Sequence, residues 1–274
     1  MMLINGLPAE SLSARDRGLA FGDGVFRTMR CEGSAVQFLA RHLRRLRHDA
    51  ARLGIACPDD AVWMREIAQL AKGDCTIKLT LTRGVSARGY AVDAAATPTR
   101  IVATSPLPDY SHARQGVSVR RCDWPLSIQP GLAGIKHLNR LDQVMARREW
   151  QNPAIFDGLM LNARGEVVEG VISNLFIVRD DAIYTHPLQD CGVSGVSREV
   201  MLDILAASGI RVIEQAFDWS SLIDSECVFL CNSLAGPVPV IACDALRWQT
   251  DTRMSQWQQQ WQQYAGKESV QCLA

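Results

Sequence analysis

Four stretches of this chain carry side chains whose types and neighbours can do chemistry. In Leu132-Ala133-Gly134-Ile135-Lys136-His137-Leu138-Asn139-Arg140-Leu141, Lys136 stands between Ile135 and Leu138. An amine drawn into a partly apolar setting loses solvation, its pKa falls, and it can serve as nucleophile, general base or Schiff-base former. A lysine in a loop before a helix is more often a solvated surface residue, so this stretch needs support from elsewhere. Arg45, in Arg41-His42-Leu43-Arg44-Arg45-Leu46, adjoins the apolar row at Leu46. A guanidinium there can hold phosphate through two parallel hydrogen bonds, although a basic helix face is usually just hydrated.

Gly195-Val196-Ser197 reads as the opening of a helix. Free N–H groups and the positive dipole end make a phosphate seat there, and the Ser197 hydroxyl adds a donor. The plainer alternative is an ordinary serine N-cap. Glu169 follows Val167-Val168 and precedes Val171-Ile172. A carboxylate among such neighbours needs a partner if buried, and is a plain surface glutamate if not. Together the four features meet the demands of pyridoxal phosphate, which needs a lysine to hold it as a Schiff base, a phosphate cup and an anion at the ring nitrogen. The anion keeps the ring nitrogen protonated, so that the ring can accept electrons when a proton leaves the substrate.

The elements that must position these residues are legible in outline. Met2-Leu3-Ile4, a turn at Asn5-Gly6 and a return strand form a hairpin. Phe21-Gly22-Asp23-Gly24 leads into a strand that ends at Glu32-Gly33-Ser34. Leu39, Leu43, Leu46, Ala50 and Leu53 recur at helical spacing, with Gly54 as C-cap. A second helix, capped by Asp59 or Asp60, runs to Gly73, and Thr76 to Thr82 alternates as a half-buried strand. Strands are expected at 100–104, 117–122, 156–161, 167–169, 174–178, 212–215, 227–231 and 238–242. Helices are expected after Lys136 as far as Trp150, from Ser197 to Gly209, and from about Thr250 to Tyr264, where Trp257 and Trp261 mark a docking face. Two halves of mixed strands and helices make the fold α+β. The prolines of Ser105-Pro106-Leu107-Pro108 mark the connection, so the expected domains are 1–106 and 116–274 with a linker at 107–115.

Composition excludes several classes. A chain of 274 residues has 29 basic and 29 acidic side chains, so no bulk charge attracts nucleic acid or an anionic membrane. Arg41, Arg44, Arg45 and Arg47 would be the basis of a nucleic-acid module, but no aromatic-studded basic groove accompanies them. No apolar run reaches the roughly 18 residues of a membrane span, and Met1 to Gly6 lacks the features of a signal peptide. Nine scattered cysteines without C-x-x-C spacing argue against a disulfide framework or a thiolate metal site. No metal is expected, and a cytoplasmic location is.

The motifs also carry a resemblance. Phe21-Gly22-Asp23-Gly24-Val25-Phe26, His42-Leu43-Arg44-Arg45-Leu46, Gly134-Ile135-Lys136-His137-Leu138-Asn139-Arg140, Glu169-Gly170-Val171-Ile172-Ser173-Asn174-Leu175-Phe176 and Gly192-Val193-Ser194-Gly195-Val196-Ser197-Arg198 resemble the fold-type IV pyridoxal phosphate enzymes, almost end to end and in the family's order. That family includes branched-chain aminotransferases, D-amino-acid aminotransferases and aminodeoxychorismate lyases. The Lys136 stretch, Arg88-Gly89-Tyr90, the Met2-to-Gly6 opening and Cys231-Asn232-Ser233-Leu234 are similar to the lyase branch. Leu141 stands where the branched-chain type has a tyrosine, which favours that branch over the aminotransferases.

The resemblance implies a smaller N-terminal α/β domain, a larger C-terminal domain with a pseudo-barrel of strands, and a homodimer. It implies that Lys136 binds the cofactor as a Schiff base, with Glu169 on the pyridine nitrogen. Arg45, Val196, Ser197 and Ser233 would hold the phosphate, and Asn139 would add a hydrogen bond to the cofactor. Thr28 would assist proton delivery, while Arg88 and Tyr90 would reach substrate carboxylates. The implied reaction converts 4-amino-4-deoxychorismate to 4-aminobenzoate and pyruvate. Transamination of D-amino or branched-chain amino acids is the alternative.

Overall fold

The computed structural model describes residues 1–86, 89–93 and 95–272, and the chain divides into two compact units. The first comprises Met1–Pro108, Lys136–Asn139 and Ala265–Ala274, and the second Asp109–Ile135 and Arg140–Tyr264.

The first unit is built on a seven-stranded sheet. Its strands are β1 (Met2–Ile4), β2 (Leu7–Pro8), β3 (Gly24–Glu32), β4 (Ala35–Val36), β5 (Cys75–Thr82), β6 (Thr99–Ser105) and the terminal strand Val270–Gln271. The order across the sheet is terminal strand, β4, β3, β5, β6, β1, β2. Helix α1 (Arg17–Phe21), which the sequence patterns did not reveal, precedes β3. Helix α2 (Leu39–Arg52) packs on β3 through Leu39, Leu43, Leu46 and Ala50, all buried. Gly54, at φ +63°, follows its last turn, and the Ile55 N–H reaches back to the Ala50 carbonyl at 2.8 Å as in a Schellman stop.

Helix α3 (Asp60–Leu70) packs on β6. It ends short of Gly73, and Asp59 sits at its N-cap without a side-chain hydrogen bond to the helix. β5 is not half-buried as its alternation suggested. It lies between β3 and β6, and only Lys78 along it is exposed.

The second unit is built around a nine-stranded sheet. In chain order its strands are β7 (Val117–Arg121), β8 (Ile155–Leu161), β9 (Val167–Gly170), β10 (Asn174–Arg179), β11 (Ala182–Thr185), β12 (Val212–Glu214), β13 (Cys227–Asn232), β14 (Gly236–Cys243) and β15 (Leu246–Arg247). The path β10-β13-β14-β7-β8-β9 returns to β10 through the pairing of Asn174 with Glu169, closing a barrel. Closure removes the exposed edges an open sheet would present. Inward-facing Val119, Leu159, Leu175, Ile177, Leu230 and Val240 fill it.

The unit's helices are α4 (Leu141–Arg147), α5 (Val196–Ala207), α6 (Trp219–Ile223) and α7 (Met254–Lys267), the last of which runs into the residues grouped with the first unit. α4 stops at Arg147 and α7 starts at Met254, so the expected helices to Trp150 and from Thr250 are displaced at their ends. The docking face of α7 is real. Trp257 is buried 5.3 Å from the Phe229 ring, which stacks on Phe176 at 4.8 Å. Gly236, at φ +73°, is needed beside Trp261, because a Cβ there would lie 2.9 Å from the indole nitrogen. All nine cysteines are free. No helix among the described residues is long and apolar enough to cross a membrane.

Candidate active site

In the first unit, Lys136 is held like a residue of a strand. The Phe26 N–H donates to its carbonyl at 3.0 Å, the Leu138 N–H donates to the Gly24 carbonyl at 2.9 Å, and His137 bridges Val25. This close approach requires Gly24, since a Cβ there would meet the Leu81 carbonyl at 2.6 Å and Leu138 at 2.7 Å. The Lys136 N–H donates to Asp49 Oδ2 at 2.9 Å. Its side chain is half-buried and lays Nζ 4.7 Å from the centre of the Phe26 ring. Ile135, the expected apolar flank, is fully buried. Thr28 lies two residues beyond Phe26 on β3 and therefore on the same face of the sheet.

Arg45 extends from α2 with Nη2 3.8 Å from Asp49 Oδ1. Arg27 of β3 makes a fully buried ion pair with Asp49 and also donates to the Arg45 carbonyl at 3.4 Å. One carboxylate thus gathers β3, α2 and the lysine segment. His42, one turn ahead of Arg45, is buried without a hydrogen-bond partner on either ring nitrogen among the described residues. Burial first, and then the positive charges of Arg27 and Lys136, push its pKa down to about 3, so it is neutral at any working pH.

Asn139 is exposed, and its amide donates to the Gly22 carbonyl at 3.4 Å. Tyr90 is 85% exposed, with its ring 5.3 Å from that of Phe21. The loop bearing it is fixed by buried Arg17, which donates to the carbonyls of Gly89 at 3.0 Å, Tyr90 at 3.2 Å and Ala91 at 3.3 Å, and to the Ser86 hydroxyl at 3.2 Å. Arg17 Nε donates to Asp23 at 2.8 Å. Burial works against the charge of Asp23, but hydrogen bonds from Arg83 and Arg17 hold its pKa below the usual carboxylate range. Arg88 lies outside the described residues.

In the second unit, Glu169 of β9 is buried and accepts the Val193 N–H at 2.8 Å. The Asn174 amide donates to the carbonyl of that same Val193 at 2.8 Å. Val193 lies just ahead of α5, so these two polar side chains of the barrel set where the helix begins. The N-cap of α5 is Gly195 rather than a serine. Val196 and Ser197 are therefore its first helical residues, whose N–H groups have no acceptor within the helix. The Ser197 and Ser233 hydroxyls lie 3.2 Å apart. The turn that carries Ser233 is shaped by Asn232 Oδ1, which accepts the N–H groups of Leu234 at 3.0 Å and Ala235 at 2.9 Å.

On β8, which pairs with β9, Asp157 is fully buried and accepts the Ser173 hydroxyl, the Gly158 N–H at 2.8 Å and the Ile172 N–H at 3.4 Å. Burial raises its pKa to about 6, against the lowering effect of these hydrogen bonds. Asp157 fixes the bend between Glu169 and Asn174. Sequence reasoning missed Arg27, Asp49, Asn174 and Asp157. Of these, only Asn174 lay inside a quoted motif.

The sequence pattern of the class IV amino-transferases matches residues 24–243. The chain belongs to that family. A 4-amino-4-deoxychorismate lyase from Pseudomonas aeruginosa, known as a crystal structure, aligns with TM-score 0.91 and 41% identity over 95% of this chain and 97% of its own. The aminodeoxychorismate lyase of Vibrio harveyi is 33% identical over 252 residues, 89% of this chain and 92% of that protein. A D-alanine aminotransferase from Bacillus licheniformis is 28% identical over 89% of this chain and 88% of its own.

Class IV members depend on pyridoxal phosphate, and the donor set here fits that group. Each unit supplies donors of the kinds that group needs: the first a half-buried amine and a guanidinium, the second a buried carboxylate, a helix start and two adjacent hydroxyls. The arginine face of α2 carries ion pairs. Arg41 pairs with Glu268 at 2.6 Å, and Arg47 with Asp60.

Proposed function

We propose that this protein is a pyridoxal-phosphate-dependent 4-amino-4-deoxychorismate lyase. In this reading it releases pyruvate and forms 4-aminobenzoate for folate synthesis, acting as a cytoplasmic homodimer. The observation that carries the reading is 41% identity, at a TM-score of 0.91, to a protein described as that lyase. It is supported by the presence of each donor the cofactor requires. Lys136 would hold the cofactor's aldehyde carbon and Glu169 its ring nitrogen. Arg45, the Val196 and Ser197 amides, and the Ser197 and Ser233 hydroxyls would hold its phosphate, and Asn139 would support it from the lysine segment. When bound, the cofactor supplies a conjugated ring, tied to the substrate's amine, that takes up the electron pair left by a departing proton.

The remaining work falls to the chain's own side chains. The Lys136 amine takes the proton from C4 of the substrate, and its setting against Phe26 keeps bulk water from competing for that proton. Glu169, buried and oriented by the Val193 N–H, holds a proton on the ring nitrogen. The C–O bond to the enolpyruvyl group then breaks, and the six-membered ring becomes aromatic. The proton that Lys136 took from C4 then passes to the methylene carbon of the departing enolpyruvate, relayed by the Thr28 hydroxyl on the Phe26 face of β3, which gives pyruvate and returns Lys136 to the neutral amine. Tyr90 and Arg88 meet the substrate's carboxylates.

Purified protein given pyridoxal phosphate and aminodeoxychorismate is expected to yield 4-aminobenzoate and pyruvate in equal amounts. The same protein given D-alanine and 2-oxoglutarate is expected to form little glutamate. Efficient glutamate formation without 4-aminobenzoate would replace this reading with the aminotransferase one.

A further inference from the structure

Asp49 has no part in the chemistry above, yet it is fully buried and its carboxylate is the meeting point of the lysine's surroundings. It accepts the Lys136 backbone N–H at 2.9 Å, pairs with buried Arg27, and lies 3.8 Å from Arg45 and 3.2 Å from His48 Nδ1. A neutral acceptor would satisfy one N–H at far lower desolvation cost than a carboxylate. A buried carboxylate is tolerated here because Arg27 balances it, and Arg27 also donates to the Arg45 carbonyl at 3.4 Å. The two charges therefore form a frame with the lysine backbone on one side and the Arg45 turn on the other.

A lysine amine reaches its target through several rotatable bonds, so its working position depends on where its backbone is fixed. Small displacements of a reacting group are costly in rate. We propose that Asp49 is the positioning residue for Lys136, fixing the lysine backbone through its N–H, with Arg27 as the counter-charge that keeps the anchoring carboxylate in place. This rests on the reading that Lys136 binds pyridoxal phosphate.

The test compares two full-length double variants, neither of which leaves a buried charge unpaired. Arg27→Leu/Asp49→Asn keeps an oxygen for the Lys136 N–H, and Arg27→Leu/Asp49→Ala does not. Each is mixed with pyridoxal phosphate, and the borohydride-trapped adduct on Lys136 is followed by absorbance and mass. Pyridoxine 5′-phosphate, which has the ring and phosphate but no aldehyde, reports the rest of the site. The alanine variant is expected to form the adduct about tenfold less readily than the asparagine variant, while both bind pyridoxine phosphate within about threefold of each other. Equal adduct formation overturns the proposal. So does a parallel loss of pyridoxine phosphate binding, which would place the effect of Asp49 in the phosphate seat through Arg45.

Residue-resolved hydrogen exchange on the wild-type protein decides the matter even where a variant does not fold. The Lys136 amide is expected to be as protected as those of β3, and an unprotected amide overturns the anchor. If wild-type protein forms no adduct at all, the cofactor reading fails, while the exchange at Lys136 still reports on the anchor.

Discussion

Replacing Asp157 by Asn tests whether the bend beneath Glu169 is pH-sensitive. Asp157 is fully buried and its pKa is raised to about 6 from an ordinary 3.8, with burial as the largest cause. The sign follows from linkage. An acid whose folded pKa is raised holds its proton more tightly in the native state, so the native state is favoured while the group is neutral. That contribution is fully present below 3.8 and is lost as pH rises through about 6. A change from 3.8 to about 6, at ~1.36 kcal/mol per decade, corresponds to roughly 3 kcal/mol of stability.

Asparagine keeps an oxygen for the Gly158 and Ile172 N–H groups but has no charge to desolvate. Urea unfolding of the two proteins should therefore show wild type losing ground to Asp157→Asn between about pH 3.5 and 6.5, by an amount of that order, and a constant difference above about pH 7. Parallel stability curves across that window would refute the reasoning and mean that the carboxylate is ionised in the native state at little cost.

Three further outcomes are expected. Lys136→Ala should abolish the borohydride-trappable adduct with pyridoxal phosphate, and a surviving adduct would assign the cofactor to another lysine. Arg17→Met removes a buried side chain that holds three carbonyls of the Tyr90 loop. It should raise KM for aminodeoxychorismate about tenfold or more with a much smaller change in kcat, and faster proteolysis between residues 84 and 98 should accompany it. Gly195→Ala would bring a Cβ within 2.4 Å of Asn174 Oδ1, so cofactor affinity measured by fluorescence quenching should drop at least tenfold as the start of α5 shifts.

The residues visible in the sequence were those whose chemistry contrasts with their immediate neighbours. Lys136 close to Ile135 and Leu138, Glu169 after two valines and Ser197 in Gly195-Val196-Ser197 each stand out locally. The spacing of Leu39, Leu43 and Leu46 placed α2 for the same reason. Arg27 and Asp49 were hidden because a lone charge in an alternating strand, Phe26-Arg27-Thr28, or on a basic helix, Arg47-His48-Asp49, reads as surface charge. Their pairing spans 22 residues and depends on the packing of α2 against β3. Asp157 reads as a polar break in a strand until the barrel closes around it. α1 is only five residues long, too short for a periodic signal. The misjudged exposure of β5 has a similar origin, since threonines alternate with apolar residues whether or not a strand lies mid-sheet.

The grouping of Lys136–Asn139 and Ala265–Ala274 with the first 108 residues has a consequence for the order in which the chain can mature. On the ribosome, the N-terminal segment emerges first, but a fragment ending at Pro108 lacks both the strand-like lysine segment that lines β3 and the terminal strand that borders β4. The first unit is therefore completed only once the segment from Ala265 has been made, with the whole of the second unit's sequence synthesised in between. A nascent chain carries Arg27 and Asp49 well before it carries the Lys136 N–H that Asp49 accepts, so the buried ion pair of the first unit precedes the segment that completes its surroundings.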